Sequence, residues 1–355
     1  VSNRLRTIFV SVLAIALLVW FLRDANFSEV WRHVRSARLS LLLVALACVG
    51  GSLWIRAVRW QYLLDPIGPT RFRTVFRTSV IGFAALAVLP ARVGDLLRPY
   101  LLARQDGLPF AATIATIVLE RVLDCIAVLV LMGIYVWGFA DHSTWPPAFL
   151  RPVEIATAVG LIGSLALIVV MWVLATHPER IGAFVTATAW VLPRAWAVRL
   201  GGIASGFSSG FAVARAPRDL VIAMLLSFPL WVAIAAESWA VTAALHIAMP
   251  LVGSFLLQAM LVIGVAVPTP GGVGSYHEAY RFGVTTFFGA SNDQAVAAAI
   301  VTHIVSYVPI VLLGVFFMAQ DGLSFGRLTQ LAGSAPAGKE TVGTDEVPIL
   351  RPSRR

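Results

Sequence analysis

Three charged residues interrupt the apolar stretch TIATIVLERVLDCIAVLVLMGIYV: Glu120, Arg121 and Asp124. Glu120 and Asp124 are four apart and share one face of a helix. Two carboxylates one turn apart can pair with arginine, hold an amine or a sugar hydroxyl, or carry a proton. By themselves they are too few to hold a divalent cation. Upstream, LPARVGDLLRPY (Leu89 to Tyr100) supplies Arg92, Asp95 and Arg98 within seven residues. An unpaired charge inside a bilayer costs about 2.5–3.5 kcal/mol, so these groups are expected to meet. Arg92 and Arg98 would serve the carboxylates and Asp95 would serve Arg121. Such a set can be an internal network that locks helices together, or the wall of a polar cavity in which Arg98 stays partly hydrated.

A second group lies in TPGGVGSYHEAY (Thr269 to Tyr280). Gly271, Gly272 and Gly274 permit positive φ and let backbone amides face a ligand. A helix starting near Ser275 would aim free N–H groups at the midplane, as would one starting after Gly94, and both suit an anion such as phosphate. Glu278 would face Arg92 and Arg98 with opposite charge. His277 belongs with His303, which stands with Ser306 and Tyr307 at i, i+3 and i+4. A histidine in such a helix is either a hydrogen-bonded structural residue or part of a site. The glycine turn is not a nucleotide-binding loop, because G-x-x-x-x-G-K-S/T is absent, and so are H-E-x-x-H and G-x-S-x-G.

These residues sit in a chain of 355 residues that is 59% hydrophobic and 13% charged, with mean hydropathy +0.84. A soluble domain carries about 25% charged residues, so the chain reads as a polytopic membrane protein. Net charge is +9, and Lys339 is the one lysine among 27 basic residues. Arginine grips phosphate through a planar fork; a GC-rich coding sequence and cytoplasmic anchoring would give the same bias. Cys48 and Cys125 lie in apolar runs, which argues against a disulfide framework and against a zinc site. No cofactor, metal or nucleic-acid partner is expected.

The elements that must hold these groups follow from hydropathy. Six segments suit membrane helices: 7–22, 40–60, 110–138, 153–175, 219–246 and 295–319. The first is expected to be a retained helix, not a removed signal. Residues 24–38 read as a short interfacial helix, with Phe27, Val30, Trp31 and Val34 at helical spacing. Residues 179–215 interleave aromatic and arginine residues and suit helices in the headgroup layer. Residues 74–105 and 250–290 are apolar but broken. Residues 93–105 reach at most about 20 Å as helix, so 74–105 is expected to dip in from the cytoplasm and return. The second broken region would enter from outside, as a re-entrant hairpin or as two full crossings. Basic residues favour cytoplasmic termini, with 139–152 outside, although the four arginines of 23–38 fit this poorly.

The two broken regions also match each other. Pro90, Val93, Gly94, Arg98 and Tyr100 fall on Pro270, Val273, Gly274, Glu278 and Tyr280, 180 residues on. Each half reads helix, helix, broken hairpin, helix, and three crossings per half would invert the second half. Inverted repeats with breaks near the midplane are a transporter design. The expected fold is thus all-α and polytopic: about six transmembrane helices and two re-entrant hairpins in an inverted repeat. One transmembrane domain would fill residues 1–325, with repeats near 1–140 and 150–322. Residues 326–355 would form a disordered cytoplasmic tail.

The stretches RAVRWQYLL (Arg56 to Leu64), PARVGDLLRPYLL, LERVLDCIAVL and PTPGGVGSYHEA resemble the successive motifs of the flippase-like family. That family includes the membrane part of lysylphosphatidylglycerol synthase (multiple peptide resistance factor), and the resemblance runs to about residue 325. It implies a lipid translocator in the cell membrane, with Arg59, Arg92, Arg98, Glu120, Arg121, Asp124 and Glu278 at motif positions. Asp95 departs from the family's usual glutamate. A soluble aminoacyl-transferase domain is not seen after Ser324, so the chain is not expected to make aminoacylated lipid. The cargo implied is an anionic or aminoacylated phospholipid, or a polyprenyl-phosphate-linked sugar. Two alternatives stay open: an enzyme acting on a lipid-linked phosphate, and a non-catalytic partner of a separately encoded synthase or glycosyltransferase.

Overall fold

A computed structural model describes residues 3–89, 93–141, 143, 145–176, 216–267, 269–323 and 326. The expectations for Pro90, Arg92 and Pro268, for residues 179–215 and for the tail from 327 onward lie outside the described residues. Among the described residues the fold is all helix, without a strand. In chain order the α-helices are α1 Asn3–Leu22, α2 Phe27–Arg35, α3 Leu39–Leu64, α4 Phe72–Val88, α5 Val93–Asp106 and α6 Phe110–Gly138. Then come α7 Pro147–Thr176, α8 Pro217–Ala244, α9 Gly253–Ala266, α10 Ser275–Phe288 and α11 Asn292–Gln320. A single 3₁₀ turn, Pro270–Gly272, separates α9 from α10.

Local chemistry sets the boundaries. The Asn26 side chain accepts from the Ser28 and Glu29 N–H groups and starts α2. Gly289, in the left-handed region, ends α10, and the Ser291 hydroxyl caps α11. On α2 Val30 is buried while Phe27 and Trp31 are exposed. That exposure fits an element lying against lipid, and α2 packs on α11.

Among the described residues four helices are long and apolar enough to cross a membrane: Leu39–Leu64, Pro147–Val169, Arg218–Ala244 and Asn292–Gln320. The chain is a multi-pass membrane protein. Helix α6 has 29 residues and the length to cross, but it carries the three charges. The broken regions form helices that are short for a 30 Å core. Helix α4 has 17 residues, and α5, α9 and α10 have 14 each, about 21–26 Å at 1.5 Å per residue.

The two short pairs enter the bundle from opposite ends. Arg77 at the start of α4 pairs with Asp321 at the end of α11 (2.5 Å). The α9–α10 pair opens where α8 stops, and there the Arg38 N–H donates to Ala244 O (3.1 Å) and the Asn26 N–H to Asp293 (2.9 Å). Each pair packs against the long helix that follows the other, α4 on α11 and α9 on α6, while α3 packs along α8. The inner ends meet. At Gly271 (φ +58) a Cβ would lie 2.8 Å from the Ala87 carbonyl oxygen, near the end of α4.

The matched motif does not superpose residue for residue. Helices α5 and α10 start 182 residues apart (Val93 and Ser275), as do α6 and α11 (Phe110 and Asn292), against 180 in the motif. Gly94 lies inside the first turn of α5, whereas Gly274 precedes α10 at φ +86. Their reasons differ too. A Cβ on Gly94 would stand 2.1 Å from the Gly82 carbonyl oxygen, so glycine lets α4 and α5 cross backbone to backbone.

Candidate functional site

Helix α6 brings Glu120, Arg121 and Asp124 to the meeting point of α3, α4, α5 and α8. Arg59 of α3 donates to Asp124 Oδ1 (2.6 Å) and to Ser227 Oγ of α8 (2.8 Å), and its Nη2 lies 3.6 Å from Glu120 Oε1. Arg98 of α5 donates to Glu120 Oε1 (2.9 Å) and to Ser79 Oγ of α4 (3.1 Å). Its guanidinium stacks 3.8 Å from the Trp60 ring, and Trp60 is itself held by Nε1–H to Thr116 Oγ1 (2.9 Å). Trp231 Nε1–H donates to Asp124 Oδ1 (2.9 Å). Arg56 lies 3.5 Å from Glu120 and 3.7 Å from Asp124.

The cluster has a closed floor and an open edge. The Arg59 and Glu120 side chains are 0% exposed, whereas Arg121 is 42% and Asp95 30% exposed. Arg121 reaches all three carboxylates: Glu120 at 3.3 Å, Asp124 at 3.5 Å and Asp95 at 3.9 Å. Arg98 is 2% exposed. The expectation of a partly hydrated Arg98 is corrected: Trp60, Ser79 and Glu120 enclose it. Four guanidinium groups (Arg56, Arg59, Arg98, Arg121) thus face three carboxylates (Asp95, Glu120, Asp124). Arg59 Nε and Nη2, Arg98 Nη2 and Glu120 Oε2 are buried and make no hydrogen bond. Leaving such polar valences unused is costly.

The other predicted residues lie elsewhere. Glu278 is held by Arg281 at 2.6 and 2.9 Å, and Arg281 also donates to Asn292. No ion pair joins Glu278 to Arg98 among the described residues. Gly271, Gly272 and Gly274 all take positive φ at the inner turn. Just before α10, the Gly274 N–H donates to His277 Nδ1 (3.4 Å) and so is not free for an anion. His277 stacks on His303 (4.6 Å between centroids), and His303 stacks on Tyr307 (4.2 Å).

Several members of the polar interior were not singled out from sequence. Arg56 stands three residues before Arg59 in an apolar helix, and its charge alone was a usable signal. Glu237, in AIAAESWAV, gave the same signal. Ser79, Ser227, Trp60 and Trp231 carried none, since such residues are common in membrane helices.

An all-helical membrane bundle with arginines and carboxylates paired in its interior defines the class: a polytopic membrane protein with a charged interior. The chain belongs to the family of the lysylphosphatidylglycerol synthase TM region, whose family model matches residues 8–314. It is 24% identical over 340 residues to a UPF0104 membrane protein of Methanothermobacter thermautotrophicus, covering 88% of this chain and 92% of that one. It is also 24% identical over 344 residues to Glycosyltransferase AglD of Haloferax volcanii. That match covers 89% of this chain and 54% of the relative, so the chain spans about half of that relative's length.

Proposed function

We propose that this protein moves a phospholipid or lipid-linked headgroup between leaflets of the cell membrane, with the Arg56–Arg59–Arg98–Arg121 cluster receiving the phosphate. The observation that carries this reading is the surplus of guanidinium over carboxylate in a membrane bundle, with donor atoms of Arg59 and Arg98 unused. An anion at the exposed edge beside Arg121 would supply the missing charge. Glu120, Asp124 and Asp95 would keep the arginines oriented and exchange partners as the headgroup passes.

The architecture supports the same reading. The short pairs α4–α5 and α9–α10 act as re-entrant hairpins from opposite faces, and the halves near 1–140 and 150–322 form an inverted repeat. Both termini lie in the cytoplasm, so the α4–α5 hairpin opens inward and α9–α10 outward. Residues 1–325 act as one unit. The chain performs no bond-making chemistry, and its driving force is a gradient, or absent as in scrambling.

A second reading has its own support, because half of the relative named as a glycosyltransferase resembles this chain. In that reading the chain is the membrane partner of an enzyme that acts on a lipid-linked sugar. Proteoliposomes separate the two. Exchange of labelled phospholipid or polyprenyl-phosphate sugar by the purified chain, reduced several-fold in Arg121→Ala, supports transport. Undiminished exchange in an Arg56→Ala/Arg121→Ala variant would overturn the phosphate role. No exchange without an added synthase would favour the partner reading.

A further inference from the structure

A second polar group lies toward the other end of the bundle, around Glu237 in the last third of α8. Glu237 is 5% exposed, and no basic group lies within ion-pair distance among the described residues. Its one hydrogen-bond partner there is Ser306 Oγ of α11. The titratable groups that face it from other helices are Cys48 of α3 and Tyr276 and Tyr280 of α10. None is a cation. Helix α9 offers Gln258, which is turned to Ser238 and the Ile234 carbonyl. Helix α6 spends its charges on the arginine cluster.

The hydrogen-bond arithmetic at Ser306 favours a protonated Glu237. Its Oγ contacts both Glu237 Oε1 and the Thr302 carbonyl oxygen (2.8 Å). A hydroxyl has one proton to donate. If Glu237 is ionised, both neighbours are acceptors and one contact is not a hydrogen bond. If Glu237 carries a proton, it donates to Ser306 Oγ, Ser306 donates to Thr302 O, and the chain closes. Charge cost points the same way, since a carboxylate without a cation in apolar surroundings is expensive.

The group continues toward the second hairpin. Tyr276 approaches Ser306, and its ring meets His303 edge-on (5.3 Å). His303 Nδ1 is buried without a hydrogen-bond partner. His303 stacks on His277, whose Nδ1 accepts from Gly274 N–H at the start of α10. A neutral His277 therefore carries its proton on Nε2. Carboxyl, hydroxyl, phenol and two imidazoles thus run from α8 to the turn that touches the end of α4. We infer that Glu237 is an exchangeable proton-binding site, and that Tyr276, His303 and His277 link its protonation to the position of the α9–α10 hairpin. The coupling to cargo rests on the transport reading above; the proton site does not.

Infrared spectroscopy of the full chain in lipid nanodiscs tests the site without any transport assay. At neutral pH a carbonyl stretch of a protonated carboxylic acid is expected. It should shift in D₂O and be lost in Glu237→Gln, which keeps the side-chain shape. Ser306→Ala should raise its frequency, because a hydrogen bond is removed, without abolishing it. A spectrum unchanged by Glu237→Gln would overturn the proposal, as would a band abolished by sodium at constant pH, which would make this an alkali-cation site. In proteoliposomes, wild-type lipid exchange should respond to an imposed pH gradient, and Glu237→Gln should retain exchange but lose the response. A response intact in Glu237→Gln would overturn the coupling. Absent exchange with an intact Glu237 band would count against the transport reading instead.

Discussion

Arg59 and Arg121 carry the same charge on the same carboxylates, yet their surroundings assign them different work. Arg59 has no contact with solvent and spans Asp124, Ser227 and Glu120. Arg59→Ala would leave Asp124 short of its nearest cation in a closed site. Breaking a buried pair from one side costs about 3–5 kcal/mol, so a clear drop in detergent melting temperature is expected. Arg121, at 42% exposure, has water to replace its partners, and exposed pairs contribute about 0–1 kcal/mol. Arg121→Ala should melt within a few degrees of wild type while lipid exchange falls. Equal melting losses in the two variants would remove the distinction between floor and edge. Arg98 belongs with the floor. Arg98→Lys should fail to restore melting, because an ammonium cannot stack flat on Trp60 or reach Ser79 and Glu120 together.

At the scale of elements, the crossing of α4 and α5 fixes where Arg98 stands. The Gly82–Gly94 contact brings the two backbones together and lays Arg98 between Ser79 and Glu120. Gly94→Ala cannot be absorbed by a side-chain movement, since the atom it meets is a carbonyl oxygen at 2.1 Å. Overpacking of this kind costs about 1–3 kcal/mol or more. A fall in melting temperature is expected, with none in Gly138→Ala, where nothing lies within 4 Å of the added methyl. If the two variants melt alike, α4 and α5 are not in backbone contact. The motif around Gly94 and Gly274 was visible in the sequence, but its register was not. One glycine serves a helix crossing and the other a positive-φ turn, and both needs select the same residue.

For the whole molecule, the opposed hairpins make a topological prediction. In a Cys48→Ala/Cys125→Ala background, Thr70→Cys and Gly107→Cys should react with a membrane-impermeant thiol reagent from one face. Leu251→Cys and Ala290→Cys should react from the other. Thr70 and Gly107 flank α4–α5, and Leu251 and Ala290 flank α9–α10. If either pair splits between the two faces, that hairpin crosses the membrane and the re-entrant assignment fails. Two full crossings would leave both ends of a pair on one face, and the helix lengths argue against them, because 14 residues of α5, α9 or α10 give about 21 Å where about 30 Å is needed.

That this chain is a helical membrane protein can be read from its residues alone. Hydropathy and the bilayer's demand for internally bonded backbone leave few other options. The sequence also exposed Glu120, Arg121 and Asp124, because charges inside an apolar helix are too expensive to be incidental. Partner choice was not legible there. Arg59 and Ser227 are far apart in the chain, and only the packing of α3 along α8 puts the hydroxyl against the guanidinium. Glu278 looked like a counter-charge for Arg98, but local geometry one helical turn away gave it Arg281 instead. The contact of Glu237 with Ser306 likewise depends on how α8 and α11 rotate against each other. Helical spacing shows which residues share a face; the tertiary structure decides what that face meets.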